Sequence, residues 1–214
     1  NLEKFVRANE AFWGFLPFRK YVFLNVFRQG GGGLEHLNST LLTSSPNSTK
    51  GGDMRWLQYV SHEYFHAFNV KRLRPVELGP FDYERAPRSP SLWLSEGVTT
   101  YYGNLMASRG GLGTRDDVLA SLSSAITELQ NSPGRLVQTL EQASLDIFST
   151  GGSGVGGDRT KVVSYYVKGV IVGFLLDARI QHLTAGGRSF DDVMRLAYQR
   201  YGRAHGFTPE QFVA

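Results

Sequence analysis

Two histidines four positions apart, with a glutamate directly after the first, stand at Ser61-His62-Glu63-Tyr64-Phe65-His66. On a helix, residues i and i+4 project from one face, so both imidazoles can reach a single ion. Glu63 lies one residue round from His62, where a carboxylate can touch a metal-bound water without filling a coordination position. Two ligands and a general base are what a zinc hydrolase requires. The plain alternative is a helix with two surface histidines. A third protein ligand is needed, and the run Leu92-Trp93-Leu94-Ser95-Glu96-Gly97 offers one acid within an apolar stretch that continues as Val98-Thr99-Thr100-Tyr101-Tyr102. Burying an unpaired carboxylate is costly, so Glu96 needs a partner, and zinc is the partner expected. Its alternative is an exposed acid at a helix start, where the dipole favours negative charge.

The elements around these residues are legible in outline. Asp53 is a plausible N-cap, and Met54, Leu57, Val60, Tyr64 and Phe68 give an apolar helical repeat before Pro75, which predicts a helix over 54–70 with the histidines inside it. Further helices are expected at 2–13, 91–108, 115–131, 138–148, 162–184 and 189–203, with strands at 21–27 and, more weakly, 37–43. Gly110, Gly134, Gly186 and Gly206 punctuate the helix ends. Gly151 to Gly157 reads as a flexible loop. It lacks the spacing and the Lys-Ser/Thr pair of a phosphate-binding loop, which speaks against a nucleotide site.

At 214 residues and 41% hydrophobic, the chain can bury one sizeable core. A net charge of +4 is modest. The cluster Lys71, Arg72, Arg74 reads as a solvated loop, because no basic stripe or interleaved aromatic platform points to nucleic acid. With no cysteine, disulfides and thiolate zinc ligands are excluded. The longest apolar run, Gly169 to Leu176, is too short to span a bilayer.

The segment HEYFHAFNVKRLRP followed by LWLSEGVTTYY resembles the glycyl aminopeptidase family of gluzincin metallopeptidases, relatives of aminopeptidase N and thermolysin. The resemblance runs from about Tyr21 to the C-terminus. It implies an α+β, thermolysin-like zincin domain: a small mixed sheet against a mostly α-helical lobe, with the active-site cleft between them. It also implies one zinc ion per chain held by His62, His66 and Glu96, with Glu63 as general base. Residues 1–214 are expected to form a single catalytic domain, a fragment of a longer protein, since full-length members typically carry an N-terminal β domain and a C-terminal PDZ domain. Cytoplasmic and periplasmic locations both stay open, as does the oligomeric state.

Two more segments fit the resemblance. Gly30-Gly31-Gly32-Gly33-Leu34-Glu35-His36 is similar to the glycine-rich exopeptidase motif, in which the backbone at Gly33 lies along the substrate and Glu35 binds its α-ammonium. His36 stands where aminopeptidase N has Asn, and the residues alone would also suit a hairpin turn. Ser164-Tyr165-Tyr166-Val167-Lys168-Gly169 resembles the Tyr-x-Lys-Gly element whose tyrosine donates to the oxyanion. Alignment on Lys168-Gly169 selects Tyr166, with Tyr165 as the fallback and packing as the alternative for both. The expected activity is a zinc aminopeptidase acting on peptides, with a preference for small N-terminal residues implied by the resemblance. A zinc endopeptidase and a non-catalytic peptide-binding module are the rivals.

Overall fold

In a computed structural model the chain is described over residues 1–47, 53–80, 82, 84–147, 158, 160–202 and 206–213. The glycine-rich stretch 151–157 lies outside the described residues. Three strands, β1 (Val22–Phe27), β2 (Gly32–Glu35) and β3 (Ser39–Ser44), form one mixed sheet in the order β1-β3-β2. β1 runs parallel to β3, and β2 antiparallel to it. The helices are α1 (Leu2–Trp13), α2 (Met54–Phe65), α3 (Leu92–Arg109), α4 (Arg115–Gln130), α5 (Leu140–Leu145), α6 (Tyr165–Leu183), α7 (Phe190–Tyr201) and α8 (Pro209–Val213). The α+β class is therefore as the sequence indicates. Among the described residues, no helix is long and apolar enough to cross a membrane.

Local signals account for most boundaries. The Asp53 side chain accepts from the Arg55 amide at 2.9 Å and starts α2. Thr114 and Asp117 form a capping box that starts α4, and Ser164 caps α6. The helix expected over 54–70 stops at Phe65. Beyond it Ala67 and Phe68 donate to carbonyls three residues back, and the chain then leaves helical geometry at Val70, whose φ is +146°. Phe68 is still fully buried, so the apolar repeat continues through a turn that is no longer helix. The helices expected at 138–148, 162–184 and 189–203 are likewise shorter, each starting after its capping residue. Strand β2, from within the glycine run, is an element the periodicity does not show.

An aromatic core ties the elements that carry the site. Phe65 of α2 stacks on Tyr102 of α3 with ring centres 4.9 Å apart, and Trp13 of α1 stacks on Phe68 at 5.0 Å. Such pairs add about 0.5–1.5 kcal/mol beyond the area they bury. Truncating Phe65, which is fully buried, would cost about 3–5 kcal/mol and loosen α2 against α3.

Helices α3 and α6 meet through glycine. A Cβ at Gly97 would lie 2.5 Å from the Gly169 Cα, and one at Gly169 would lie 2.9 Å from the Gly97 Cα. Only glycine permits this approach, and each follows a residue of interest, Glu96 in one helix and the Tyr-x-Lys segment in the other. Gly103 makes a similar contact between α3 and α2, where a Cβ would lie 3.1 Å from the His62 Cα. The positions of His62, Glu96 and Tyr166 relative to one another are thus set by backbones in close contact.

Candidate active site

Side chains of α2 and α3 converge at one point. His62 Nε2 and His66 Nε2 are 2.9 Å apart, and Glu96 Oε2 lies 3.3 Å from the first and 3.2 Å from the second. The other ring nitrogens settle what these atoms are. His66 Nδ1 lies 2.9 Å from the Asn69 carbonyl oxygen, which can only accept, so Nδ1 carries the proton. The Thr100 hydroxyl donates to the Glu96 carbonyl at 2.9 Å, so it accepts from His62 Nδ1 at 3.2 Å. In neutral imidazoles both Nε2 atoms then present lone pairs, and they face each other and a carboxylate. Three acceptors at this spacing repel unless a cation joins them.

The set passes as a metal site on its own geometry. Ligand atoms bound tetrahedrally at about 2.0–2.1 Å stand about 3.3 Å apart, close to the two distances to Glu96. The alternative cation is a proton. Burial alone would pull the His66 imidazole down, but the Glu96 carboxylate outweighs it and holds the ring up at about 10. Burial likewise works against an ionised Glu96, yet the two imidazoles hold it well below the usual carboxylate range. Proton and metal compete for the same pocket of negative potential.

Glu63 points elsewhere. It belongs to α2 and is buried, and its Oε2 has no hydrogen-bond partner among the described residues. Burial raises its pKa, with the two histidines partly opposing. An unpaired buried carboxylate is unfavourable for folding, so its presence calls for a ligand or a reaction. Space for it comes from β2: a Cβ at Gly33 would lie 2.0 Å from the Glu63 carboxyl carbon. Residues i and i+2 of a strand share a face, so Glu35 points the same way as Gly33. Glu35 lines the same cleft as His62, Glu63, His66, Glu96 and Tyr166, a cavity of about 840 Å³ that extends along α4 past Ser121 and Glu128. Ligand atoms of Glu35, Glu63 and His66 all lie within 4.8 Å of one another.

The two tyrosines separate. Tyr165 is buried in a satellite cluster with Ala143, Ile147 and Val163, whereas Tyr166 lines the cleft. Burial and the adjacent Glu96 carboxylate, which its hydroxyl reaches, keep the Tyr166 phenol protonated far above the ordinary range. Lys168, part of the same element, donates to the Gln138 carbonyl at 3.0 Å and anchors the start of α6. All seven residues singled out by sequence, Gly33, Glu35, His62, Glu63, His66, Glu96 and Tyr166, therefore line this one cleft.

Three further residues hold the site without a clear sequence signal. Thr100 stands four residues after Glu96 on the same face of α3, and its spacing was the only hint. Asn69 orients His66 through its carbonyl, while its side-chain amide donates to the Leu94 carbonyl and to Thr99 Oγ1, both at 2.9 Å. Lys71 lies 3.8 Å from Glu35. The expectation of a solvated basic loop at Lys71, Arg72 and Arg74 fails, since all three are partly buried. The Lys71 side chain is only 14% exposed, and Arg72 donates to the carbonyls of Leu37, Ala67 and Pro17. The turn after α2 folds these cations inward to satisfy carbonyls and a carboxylate that its own geometry brings together.

Comparison with known proteins follows the same lines. A family model described as M61 glycyl aminopeptidase matches residues 55–172, more than half of the chain. That segment contains His62, Glu63, His66, Glu96 and Tyr166 but not Gly33 or Glu35. The chain is similar to the crystal structure of an aminopeptidase N family protein from Idiomarina loihiensis, at 25% identity and a TM-score of 0.89, covering 98% of this chain and 38% of that one. The fold is also that of yeast LTA4 hydrolase, solved in complex with bestatin, at 18% identity and a TM-score of 0.65, covering 100% of this chain and 31% of that one. The chain thus spans about a third of the length of these two proteins. Comparison with curated proteins gave no match.

Proposed function

Because the chain belongs to the M61 glycyl aminopeptidase family, we propose that it is a zinc aminopeptidase that hydrolyses the first peptide bond of peptides with a free N-terminus. One observation carries the reading: three metal-binding atoms converge beside a buried carboxylate whose Oε2 has no partner among the described residues, with a second carboxylate on the facing strand. His62, His66 and Glu96 would hold the ion, and their two-nitrogen, one-oxygen donor set suits zinc. When bound, zinc polarises the scissile carbonyl and makes water acidic enough to act at neutral pH.

The remaining steps belong to side chains. Glu63 Oε2 takes a proton from the attacking water and returns it to the nitrogen of the leaving amine, so that one water is consumed and both products leave intact. Its raised pKa suits that exchange, because a carboxylate that is too acidic holds protons poorly. The Tyr166 hydroxyl donates to the carbonyl oxygen as negative charge develops there, a contribution of a few kcal/mol. Asn69 and Thr100 fix the two imidazoles in the tautomers that leave Nε2 free. Glu35 receives the substrate's α-ammonium, which limits the cut to one residue from the end. A preference for small N-terminal residues such as Gly or Ala is part of the proposal, and the family's description supports glycine.

The test is a digest by zinc-loaded protein of one alanine-initiated peptide in free and N-acetylated forms, read by mass spectrometry. Release of the single N-terminal residue from the free peptide alone is expected. Cleavage inside the acetylated peptide would replace this reading with an endopeptidase, and intact peptides in both samples would favour a binding module.

A further inference from the structure

Lys71 occupies the turn after α2, and its Nζ lies 3.8 Å from Glu35 Oε1, with both side chains largely shielded from solvent. That separation is too long for a hydrogen bond but short enough for strong attraction away from bulk water. The lysine therefore supplies charge without occupying the carboxylate's lone pairs. The two residues also belong to different spaces. Glu35 lines the main cleft, whereas Lys71 lines a separate cavity of about 440 Å³ with Phe15, Leu37 and Tyr198. The ammonium thus reaches Glu35 from behind the cleft wall and leaves its cleft-facing edge open to a ligand.

The turn that delivers Lys71 is a strained one. Val70 is β-branched and buried, yet its φ of +146° lies where such residues are rare outliers. Strain of this kind persists only where the surroundings over-determine it. On one side of Val70, Asn69 holds His66 and α3; on the other, the Lys71 amide donates to the His66 carbonyl at 3.0 Å. A helical φ at residue 70 would forfeit the turn that carries Lys71 towards β2.

We propose that Lys71 is the positioning residue of the substrate's α-ammonium subsite, holding Glu35 in place beside Glu63 so that a free N-terminus is selected. Without a local cation, two carboxylates this close repel, and Glu35 would swing away from its place in the cleft wall. The proposal rests on the reading that Glu35 receives the ammonium, and the experiment separates the two.

Kinetics on alanine p-nitroanilide, with competition by alaninamide and N-acetylalaninamide, would be measured for zinc-loaded wild type, Lys71→Met, Lys71→Gln, Lys71→Arg and Glu35→Gln. Loss of the lysine charge should raise KM and the alaninamide inhibition constant about fivefold, as for one partly buried ion pair, with kcat within twofold and zinc content unchanged. Lys71→Arg should restore most of the affinity, and N-acetylalaninamide should respond to none of the changes. If Glu35→Gln weakens alaninamide while neither neutral Lys71 variant does, the role of Lys71 is overturned and the ammonium reading stands. If Glu35→Gln has no effect, the ammonium reading fails and the role of Lys71 with it. Should Lys71→Met not fold, Lys71→Gln, which keeps a polar end, decides the matter; equal loss of kcat and affinity in both would mark the lysine as merely structural.

Discussion

The two ends of the cleft are built by different means. At the end with the candidate metal ligands the side chains come from helices or the first residue beyond one: His62, Glu63 and His66 at the end of α2, Glu96 on α3 and Tyr166 on α6. The helices are locked by contacts such as Gly97 on Gly169. At the other end Gly33 and Glu35 sit on β2, a four-residue strand paired among the described residues only with β3, and their third partner comes from a strained turn. A helix fixes i and i+4 neighbours by itself, so the first end is rigid and locally encoded. A short strand has no such autonomy, and its aim depends on β3, on Lys71 and on contact with the opposite wall.

The sharpest way to break this contrast is at its seam, where β2 touches the carboxylate of α2. Gly33→Ala places a methyl group 2.0 Å from the present Glu63 carboxyl carbon, which must therefore move by more than 1 Å. Misplacement of that size should lower kcat by about 10²-fold or more. Because the displaced group is the end of a flexible side chain, zinc content and melting temperature should change little. An active Gly33→Ala protein would show that Glu63 has room to spare.

Tyr166→Phe tests the helix-borne end alone. Removing a hydroxyl used mainly in the transition state should reduce kcat by about 10²-fold with little change in KM. If Tyr165→Phe showed that loss instead, the buried position of Tyr165 would be misleading. Glu35→Ala tests the strand-borne end and should act on KM, raising it for unblocked peptides by about tenfold, the lower range for a charge-assisted hydrogen bond. A fall in kcat without any change in KM would place Glu35 among the chemical groups and erase the division between the two ends.

A smaller effect is expected in the metal-free protein. Against the pull of burial, Glu96 holds His66 up at about 10. A histidine raised in the folded state stabilises fully below its unfolded value near 6.5 and loses that contribution as pH climbs through the folded value. After chelation, the melting temperature should fall between about pH 6.5 and 10, and zinc-loaded protein should show a shallower decline, since zinc binds the imidazoles in neutral form. Identical slopes would mean that proton and metal do not share the site.

The same contrast explains what could be read in advance. His62, Glu63 and His66 are a local pattern, and an acid in an apolar run marks Glu96. Their helices emerge with boundaries shifted by a few residues where capping residues outweigh periodicity. The end of α2 at Phe65 was hidden because Phe68 keeps the apolar repeat although Val70 has left the helix. β2 was hidden for the opposite reason. A glycine-rich tetrad has no hydrophobic alternation, so its hairpin pairing of Gly33 with Leu42 and Glu35 with Thr40, though local, left no periodic signal. Glu35 came only through family resemblance, and Lys71, read as a solvated cation, could not be assigned until the turn was seen to fold inward.

The central claim is that His62, His66 and Glu96 hold zinc while Glu63 stands beside it without binding. Zinc per chain, measured after dialysis of wild type, Glu63→Gln and Glu96→Gln, tests it most directly. About one zinc is expected in wild type and in Glu63→Gln, whose activity should nevertheless drop by roughly 10²-fold or more, and well below one in Glu96→Gln. Full zinc in Glu96→Gln together with its loss from Glu63→Gln would contradict the account.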